Sequence, residues 1–367
     1  MTKEEKNKAL ENIKESVERL EKKDFTFFFF VMDTKGNPSG SLAYIYRTAY
    51  ALNEMGYNVV MLHQEKEFVG VENWLGEKYA QLKHVNVESE NVEIRPSDFL
   101  FIPEIYANVM SQTKNLPCKK IAIFQNQSYL TSTIPVGVTW DDMNIKEAIV
   151  NTKANERTIK NYFPQVTTHL VEPSIPPVFR ESKEPQKLII NVVSKEQTNV
   201  DKIIKPFYWL YPVYKWVSFR DLRGLPEDVL AEALNTAAIT IWIDDETDFG
   251  YTFLEALRSG TIVVAKVPNN PTDWMVNESI GELIEGPIWF NNLKDLPRII
   301  SSLVRTWTLD NIPEEIYAAS KETSGLYSIE AQREQISDVY LNEIVTSRKT
   351  ELQKAYDYFS NDTEKKK

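Results

Sequence analysis

Residues 238–264 constrain the fold more than any other part of this chain. An apolar run, 238–243, leads into an acidic loop, then Gly250, and a second apolar run follows Gly260. This pattern predicts strand, helix and strand in a parallel sheet, with the loop and the helix N-terminus at the carboxyl edge, where α/β proteins bind nucleotides. The backbone N–H groups and the dipole of such a helix start favour phosphate, and Gly250, Tyr251 and Thr252 would supply those N–H groups.

A carboxylate, Glu255, falls about one turn into the predicted helix, where it can accept hydrogen bonds from sugar hydroxyls. The segment resembles the donor-site signature of retaining glycosyltransferases of family four, which have the GT-B fold. The matching residues are Phe249-Gly250, Leu254-Glu255-Ala256, Ser259-Gly260 and the strand 261–265. In that family two glutamates bracket the nucleotide sugar, and the resemblance implies that Glu255, the second, holds the donor ribose. The position of the first glutamate of the family is occupied by Thr247 in this chain. Glu246 and Asp248, on either side of Thr247, are therefore candidates to reach the sugar and act in catalysis.

The length of 367 residues predicts two domains, because single cores stop growing at roughly 250–300 residues. Prolines at 173, 176 and 177, followed by a charged stretch, predict a semi-rigid connector. The resemblance implies an α/β GT-B fold, with two Rossmann-like domains whose parallel sheets face a central cleft. The predicted segments are an N-terminal amphipathic helix, 1–23, an acceptor domain, 24–175, a donor-binding domain, 176–327, and a C-terminal helix that crosses back to the first domain and ends in a frayed tail, 328–367.

The first predicted domain opens with an aromatic apolar run, 25–32, typical of a central parallel strand. The loop that follows ends at Gly40 and Ser41, and a helix is predicted from there to Gly56. In the resembling family this glycine loop lies beside the donor diphosphate, so Gly40 and Ser41 are candidate donor-binding residues. Ordinary turn chemistry is the alternative reading for the loop alone.

Two amides, Gln125 and Asn126, follow the predicted strand 119–124. Polar amides at the end of a buried strand need partners and usually face a cleft. By position they resemble the place where many family members carry a histidine near the sugar and the acceptor. Since this chain has no histidine there, we predict that the amides bind substrate hydroxyls in the acceptor cleft.

The second predicted domain opens with an apolar strand, 187–193, and Lys195 follows it. The family usually has an Arg and a Lys beyond this strand, and both bind the donor diphosphate. Lys195 lies near the Arg position and is a candidate catalytic cation, although it lacks the bidentate fork of Arg. The expected Lys position falls on Thr198. Arg223, in the loop before the next predicted helix, is a candidate for contact with the nucleotide.

Composition excludes several classes of protein. The net charge is −11, with 42 Lys and Arg against 53 Asp and Glu, and tight duplex binders usually carry a positive footprint. The single cysteine, Cys118, excludes an intramolecular disulfide framework, and the histidines at 63, 84 and 169 lack metal-ligand spacing. No apolar run approaches the ~18–20 residues of a membrane helix. We therefore predict a cytoplasmic protein with no metal and no cofactor apart from its cosubstrate.

The N-terminal helix predicted for residues 1–23 has one narrow apolar stripe, at Leu10, Ile13, Val17 and Leu20. Its seven basic and six acidic residues give little attraction to anionic lipid. We expect this helix to pack on the body of the protein or on a second subunit as a homodimer contact.

These observations predict a metal-independent, retaining glycosyltransferase. It would move a hexose or pentose from a nucleotide-diphosphate sugar, with a UDP-sugar favoured, to the hydroxyl of a glycan or small-molecule acceptor. Two alternatives stay open. A catalytically silent scaffold could keep the nucleotide-sugar site, given the missing glutamate and histidine, and an enzyme that glycosylates a modified nucleic-acid base would show a basic groove on its first domain.

Overall fold

The chain forms two compact units in the computed structural model, which describes residues 3–184, 186–244, 249–269, 271–277, 281–317 and 326–364. Unit 1 comprises Met1–Glu72, Glu77–Glu172 and Glu330–Lys367, and unit 2 comprises Asn73–Gly76 and Pro173–Ile329. Unit 1 is therefore discontinuous in sequence, because its last segment returns to it after the whole of unit 2. No helix in the described part of the chain is long and apolar enough to cross a membrane.

A seven-stranded parallel sheet forms the centre of unit 1. Its strands are β1 Thr26–Phe30, β2 Asn58–His63, β3 Lys83–Asn86, β4 Phe99–Pro103, β5 Lys119–Phe124, β6 Glu147–Val150 and β7 Thr167–Leu170. The spatial order is β3-β2-β1-β4-β5-β6-β7, so the strand order reverses between β1 and β4. The aromatic run 25–32 is thus a central strand, as predicted, and its Phe residues are buried because neighbouring strands and helices cover both faces.

The helices of unit 1 begin mostly at the carboxyl edge of this sheet. They are α1 Lys3–Glu21, α2 Gly40–Glu54, α4 Ala107–Gln112, α5 Gln127–Thr133 and α6 Lys153–Tyr162, with the short α3 Glu72–Leu75 at the boundary of the units. Side chains cap three of them: the oxygens of Ser39, Asn126 and Thr152 accept hydrogen bonds from backbone N–H groups in the first turns of α2, α5 and α6.

The returning segment of unit 1 comprises the helix Ile329–Ile336, a π-helical stretch, Ser337–Val345, and the helix Thr346–Glu364. Tyr340 is fully buried and packs on the rings of Phe27, Phe29 and Phe101, with centroid distances of 5.0–6.3 Å. The helix α1 packs against Thr346–Glu364, and Lys349 Nζ lies 2.8 Å from Glu21 Oε1. The apolar stripe of α1 is therefore covered at least in part by the chain itself.

Unit 2 is built on a five-stranded parallel sheet in the order β14-β11-β10-β8-β9. Its strands are β8 Lys187–Ser194, β9 Ser218–Asp221, β10 Ala237–Ile243, β11 Ile262–Lys266 and β14 Ile288–Phe290, beside a small antiparallel pair, β12 Val276–Asn277 and β13 Glu282–Leu283. Its helices are α7 Gln197–Leu210, α8 Glu227–Thr236, α9 Tyr251–Arg258 and α10 Leu296–Thr308. The strand order reverses between β8 and β10.

Two connections between elements are short. The helix α4 begins at Ala107, and Glu104 before it accepts hydrogen bonds through its carboxylate from the N–H groups of Gln125 and Asn126 beyond β5. Residues 212–214 form a 3₁₀ turn after α7, and β9 follows at Ser218. The strands β3 and β14 have only four and three residues, and β3 lacks the apolar run that marks the longer strands.

Candidate functional site

Each of the two sheets has one topological switch point, between β1 and β4 in unit 1 and between β8 and β10 in unit 2. Open α/β sheets bind ligands outside the carboxyl ends of the strands at such points. The predicted site residues cluster there: Gly40 and Ser41 lie beyond β1, Lys195 follows β8, and Gly250 lies beyond β10. The topology therefore places candidate residues at a ligand-binding position in each unit.

In unit 2 the switch point holds an ion pair between Lys195 and Asp244. The Lys195 Nζ lies 3.0 Å from Asp244 Oδ2, and the lysine side chain is exposed. The two residues meet because Ser194 and Ile243 are register partners in adjacent parallel strands, so the next residue of each strand leaves the sheet at the same place. Sequence reasoning did not single out Asp244, although its position directly after a buried strand was a usable signal.

The helix α9 begins at Gly250, as the sequence predicts. Gly250 has φ +75° and ψ +47°, and a Cβ at this position would lie 2.5 Å from Met275 Cε. Glycine has no side chain with which to cap the helix, and the backbone N–H groups of the first turn, which includes Tyr251 and Thr252, point out of the helix end. This geometry suits the close approach of an anion to the backbone.

The carboxylate Glu255 lies in the second turn of α9, and the residue is only 6% exposed. A buried carboxylate must be hydrogen-bonded or ion-paired, because an unpaired charge in a protein interior is very costly. Glu255 is therefore a rigidly placed group rather than a mobile surface side chain.

Phe249 does not offer its side chain to a ligand, contrary to its place among the predicted donor-binding residues. It is buried, its ring lies 4.7 Å from that of Tyr251 and 5.1 Å from that of Tyr327, and its carbonyl accepts a hydrogen bond of 2.7 Å from Trp274 Nε1. An aromatic ring gains more by packing in the core than at an exposed loop. Phe249 anchors the start of α9 to the core of unit 2.

The remaining predictions in unit 2 fall into two groups. Glu246, Asp248 and the Thr247 between them lie outside the described residues. Arg223 is engaged by its neighbour, since its Nε and Nη2 donate to both carboxylate oxygens of Asp221 at 2.7–3.1 Å. A nucleotide would have to compete with Asp221 for this guanidinium, so the structure gives Arg223 a local structural role.

The switch point of unit 1 contains a cavity of ≈ 250 Å³. It lies against the ends of β1, β4 and β5 and the first turns of α2 and α5. Its lining combines apolar and aromatic side chains with a few polar groups: Met32, Ser39, Ser41, Leu42, Ile45, Pro103, Glu104, Ile105, Tyr106, Gln125 and Tyr129. Cavities of this composition are typical of small-molecule sites.

Gln125 is held firmly at the wall of this cavity. Its Nε2 donates to the carbonyl of Ser41 at 3.1 Å, and its backbone N–H donates to Glu104 Oε1 at 3.1 Å. Its side-chain oxygen, Oε1, is buried and has no hydrogen-bond partner within the described residues. A buried acceptor without a partner is costly, and a ligand hydroxyl that donates to it would remove that cost.

Asn126 caps the start of α5. Its Oδ1 accepts a hydrogen bond of 2.8 Å from the Ser128 N–H, so the side-chain oxygen caps α5 and does not line the cavity. Sequence reasoning missed Glu104 and Tyr106, which follow β4 and do line it. Burial, together with the negative charge of Glu65, raises the pKa of Tyr106, which keeps its phenol protonated as a hydrogen-bond donor.

Two Rossmann-like units, each with ligand-suited residues at its switch point, define the class of fold found in GT-B glycosyltransferases. Comparison with solved structures confirms this fold. The chain is similar to sucrose-phosphate synthase from Thermosynechococcus elongatus, with a TM-score of 0.63, 10% identity, and coverage of 88% of this chain and 99% of that one. It is also similar to Anabaena HepE in complex with UDP-glucose, with a TM-score of 0.60, 11% identity, and coverage of 86% and 99%.

A third similar structure is the pneumococcal O-GlcNAc transferase GtfA in complex with UDP and GlcNAc, with a TM-score of 0.59, 8% identity, and coverage of 88% of this chain and 99% of that chain. Among curated proteins, an alpha-1,6-glucosyltransferase of Actinobacillus pleuropneumoniae is 21% identical over 209 residues, which cover 54% of this chain and 62% of that protein. No family model matches the chain.

Proposed function

We propose that this protein is a glycosyltransferase that moves a hexose from a UDP-sugar to an acceptor hydroxyl, with retention of anomeric configuration and without a metal ion. The observation that carries the proposal is the convergence of Lys195, the start of α9 at Gly250 and Glu255 at the switch point of unit 2. The similar structures with bound UDP-glucose or UDP, and the glucosyltransferase relative, support a UDP-hexose donor.

In this proposal unit 2 holds the donor. The diphosphate replaces Asp244 as the partner of Lys195 and accepts hydrogen bonds from the first turn of α9, while Glu255 accepts hydrogen bonds from the ribose hydroxyls. Negative charge grows on the leaving diphosphate as the glycosidic bond breaks. A cation and fixed N–H groups stabilise that charge without reorganisation, so they favour the transition state.

Unit 1 holds the acceptor in the cavity beside Gln125. The volume suits a single sugar ring or a fragment of similar size, and sugar rings have apolar faces that pack on aromatic side chains such as Tyr106 and Tyr129. The unpaired Oε1 of Gln125 accepts a hydrogen bond from an acceptor hydroxyl and fixes its orientation.

Titration of UDP into the Lys195→Met variant tests the donor site by calorimetry. We expect the dissociation constant to rise about 10- to 100-fold, because a hydrogen bond to a charged group contributes ~1.5–3 kcal/mol. Lys160→Met is the matched control, since Lys160 is also an exposed lysine paired with a carboxylate, that of Glu156 at 2.7 Å, but lies far in sequence from the donor site.

Equal UDP affinity in Lys195→Met and the wild type would refute the assigned role of Lys195. Turnover then separates the enzyme from a scaffold. We expect the wild type to release UDP from UDP-hexoses when sugars or glycerol are supplied as acceptors, whereas a scaffold binds the donor and releases none.

A further inference from the structure

An exposed aromatic surface lies on unit 2, away from the strand ends that carry the candidate donor site. It is formed by the end of α7 and the 3₁₀ turn Pro212–Tyr214 that follows. Four large apolar side chains in this short stretch are mostly exposed: Trp209 75%, Leu210 64%, Val213 71% and Trp216 57%. We call this stretch, residues 202–216, the aromatic knob. Exposed tryptophan at this density is unusual on a protein surface and marks an interaction site.

The opposite face of α7 already belongs to the core of unit 2. Val200, Ile203 and Phe207 are buried there, and α7 packs on α10 along that side. Within the knob, the rings of Phe207, Tyr208, Tyr211 and Tyr214 form a continuous cluster behind the exposed side chains. The exposed side chains of the knob therefore rest on packed aromatic rings. They point to solvent because the opposite face of α7 packs against the core of unit 2.

The knob is also basic, in a chain whose net charge is −11. Lys202 and Lys205 precede Trp209 by seven and four positions, so all three side chains lie on one face of α7, and Lys215 follows in the turn. The stretch itself contains no carboxylate, and Asp201, directly before it, accepts a hydrogen bond from Lys205 Nζ at 3.1 Å. Lys202 and Lys215 have no ion-pair partner within the described residues, so their charge remains available.

We propose that the aromatic knob binds the interface of an anionic lipid membrane. Tryptophan and tyrosine partition to the boundary between head groups and acyl chains, and lysines beside them attract acidic head groups. A second copy docked by the same surface would bring the lysines of both copies together, so self-association is disfavoured. The attachment is peripheral and reversible, because one small patch supplies only a limited buried area.

Flotation of the full chain with vesicles tests this proposal. We expect the protein to float with phosphatidylcholine vesicles that contain phosphatidylglycerol, to float poorly with phosphatidylcholine alone, and to dissociate at high salt. The double variant Trp209→Ser, Trp216→Ser should lose binding. The double variant Lys202→Glu, Lys215→Glu should weaken it more than about 20-fold, since each lysine contributes about fivefold.

The matched controls change exposed residues of unit 1, Val136→Ser for the apolar pair and Lys83→Glu for the lysines, and should leave flotation unchanged. Absence of flotation by the wild type would overturn the proposal. It would also be overturned if the wild type formed an oligomer by size-exclusion chromatography without vesicles and the double tryptophan variant were monomeric, because the knob would then be a contact between copies. Circular dichroism of each variant verifies that it is folded.

Discussion

Gly250 shows how a single residue links the core of unit 2 to the candidate donor site. Its positive φ of +75° lets the chain turn from the loop after β10 into α9, and its missing Cβ leaves room for Met275. Next to it, the Phe249 carbonyl accepts a hydrogen bond of 2.7 Å from Trp274 Nε1, which holds the chain before α9 to the core of unit 2. Gly250 therefore affects both the packing of unit 2 and the place where α9 begins beside the candidate donor site.

Gly250→Ala should destabilise unit 2 by ~2–4 kcal/mol, because a non-glycine residue in the left-handed region costs ~1–2 kcal/mol and the new Cβ would overlap Met275. Thermal unfolding followed by tryptophan fluorescence measures the effect. Gly224→Ala is the matched control, since Gly224 lies in the same unit, has φ +67° and has open space around its Cβ position.

The control should lose only ~1–2 kcal/mol, the cost of the backbone conformation alone. Equal losses in the two variants would show that contact with Met275 contributes nothing. At this scale the positions of Gly250 and Lys195 directly beyond strands of unit 2 could be predicted from the sequence, and their role in a donor site stays a prediction. The sequence could not predict that the ring of Phe249 is buried or that Asp244 pairs with Lys195, because both depend on contacts between separate elements.

Among elements, the returning C-terminal segment is tied to the sheet of unit 1 by ion pairs whose members on the strands, Lys119 and His169, are buried. His169 Nδ1 lies 2.7 Å from Glu343 Oε2 and its Nε2 lies 3.3 Å from Glu147 Oε2, while Lys119 Nζ lies 2.6 Å from Glu147 Oε1 and 2.8 Å from Glu351 Oε1. Removing one member would leave its partners with uncompensated charge in a largely buried place. These contacts join the strands β5, β6 and β7 to the last helical segments.

The stability of unit 1 should depend on the protonation of His169. Burial disfavours the charged imidazole, but the hydrogen bonds and charges of Glu147 and Glu343 outweigh burial, so the pKa of His169 is raised above 6.5. A raised pKa in the folded state means that the stabilisation is complete below the unfolded value of 6.5 and is lost as pH rises through the folded value.

The difference in melting temperature between wild type and His169→Gln should therefore be largest near pH ~5.5 and shrink toward pH ~8.5. Glu343→Gln removes one of the two carboxylates and should give a shallower pH dependence than the wild type. A His169→Gln difference that stays constant across this range would contradict a charged histidine in this network.

The elements with long apolar runs, such as β1, β5, β8 and β10, could be predicted from the sequence. A strand that is covered on both faces of a parallel sheet consists mostly of consecutive apolar residues, and such a run is visible without the structure. Short elements could not be predicted in this way. The strand β3, with the sequence Lys-His-Val-Asn, exists because β2 offers it an unpaired edge, and that is a property of the sheet and not of four residues.

At the scale of the whole molecule, the two units repeat one design, a parallel sheet whose strand order reverses beside candidate ligand-binding residues. This similarity of the two units could be predicted from the sequence, because the first strand of each unit is an apolar run that is followed by a loop and a helix. What each switch point contacts could not be predicted, because the cavity of unit 1 is lined by residues from four separate segments, at 32, 39–45, 103–106 and 125–129. Under the proposed function, one unit binds the donor and the other the acceptor.

Two single substitutions, one in each unit, test whether the donor and the acceptor bind to different units. Gln125→Leu removes the unpaired Oε1 of a residue at the wall of the cavity while keeping a similar volume, so UDP affinity should be unchanged and transfer to an acceptor sugar should fall about 10-fold through a higher KM for that acceptor. Glu255→Gln removes the carboxylate in unit 2, so UDP binding should weaken about 10-fold while the acceptor KM is unchanged.

Calorimetry with UDP and initial rates over a series of acceptor concentrations provide both quantities for each variant. If one variant changes only the acceptor KM and the other changes only the UDP dissociation constant, the donor and acceptor sites are separate. A substitution in a shared site would change both constants. If Gln125→Leu weakened UDP binding as much as Glu255→Gln, the cavity of unit 1 would belong to the donor site. The acceptor would then have to bind elsewhere, since a donor that fills ≈ 250 Å³ leaves no room for a second ring.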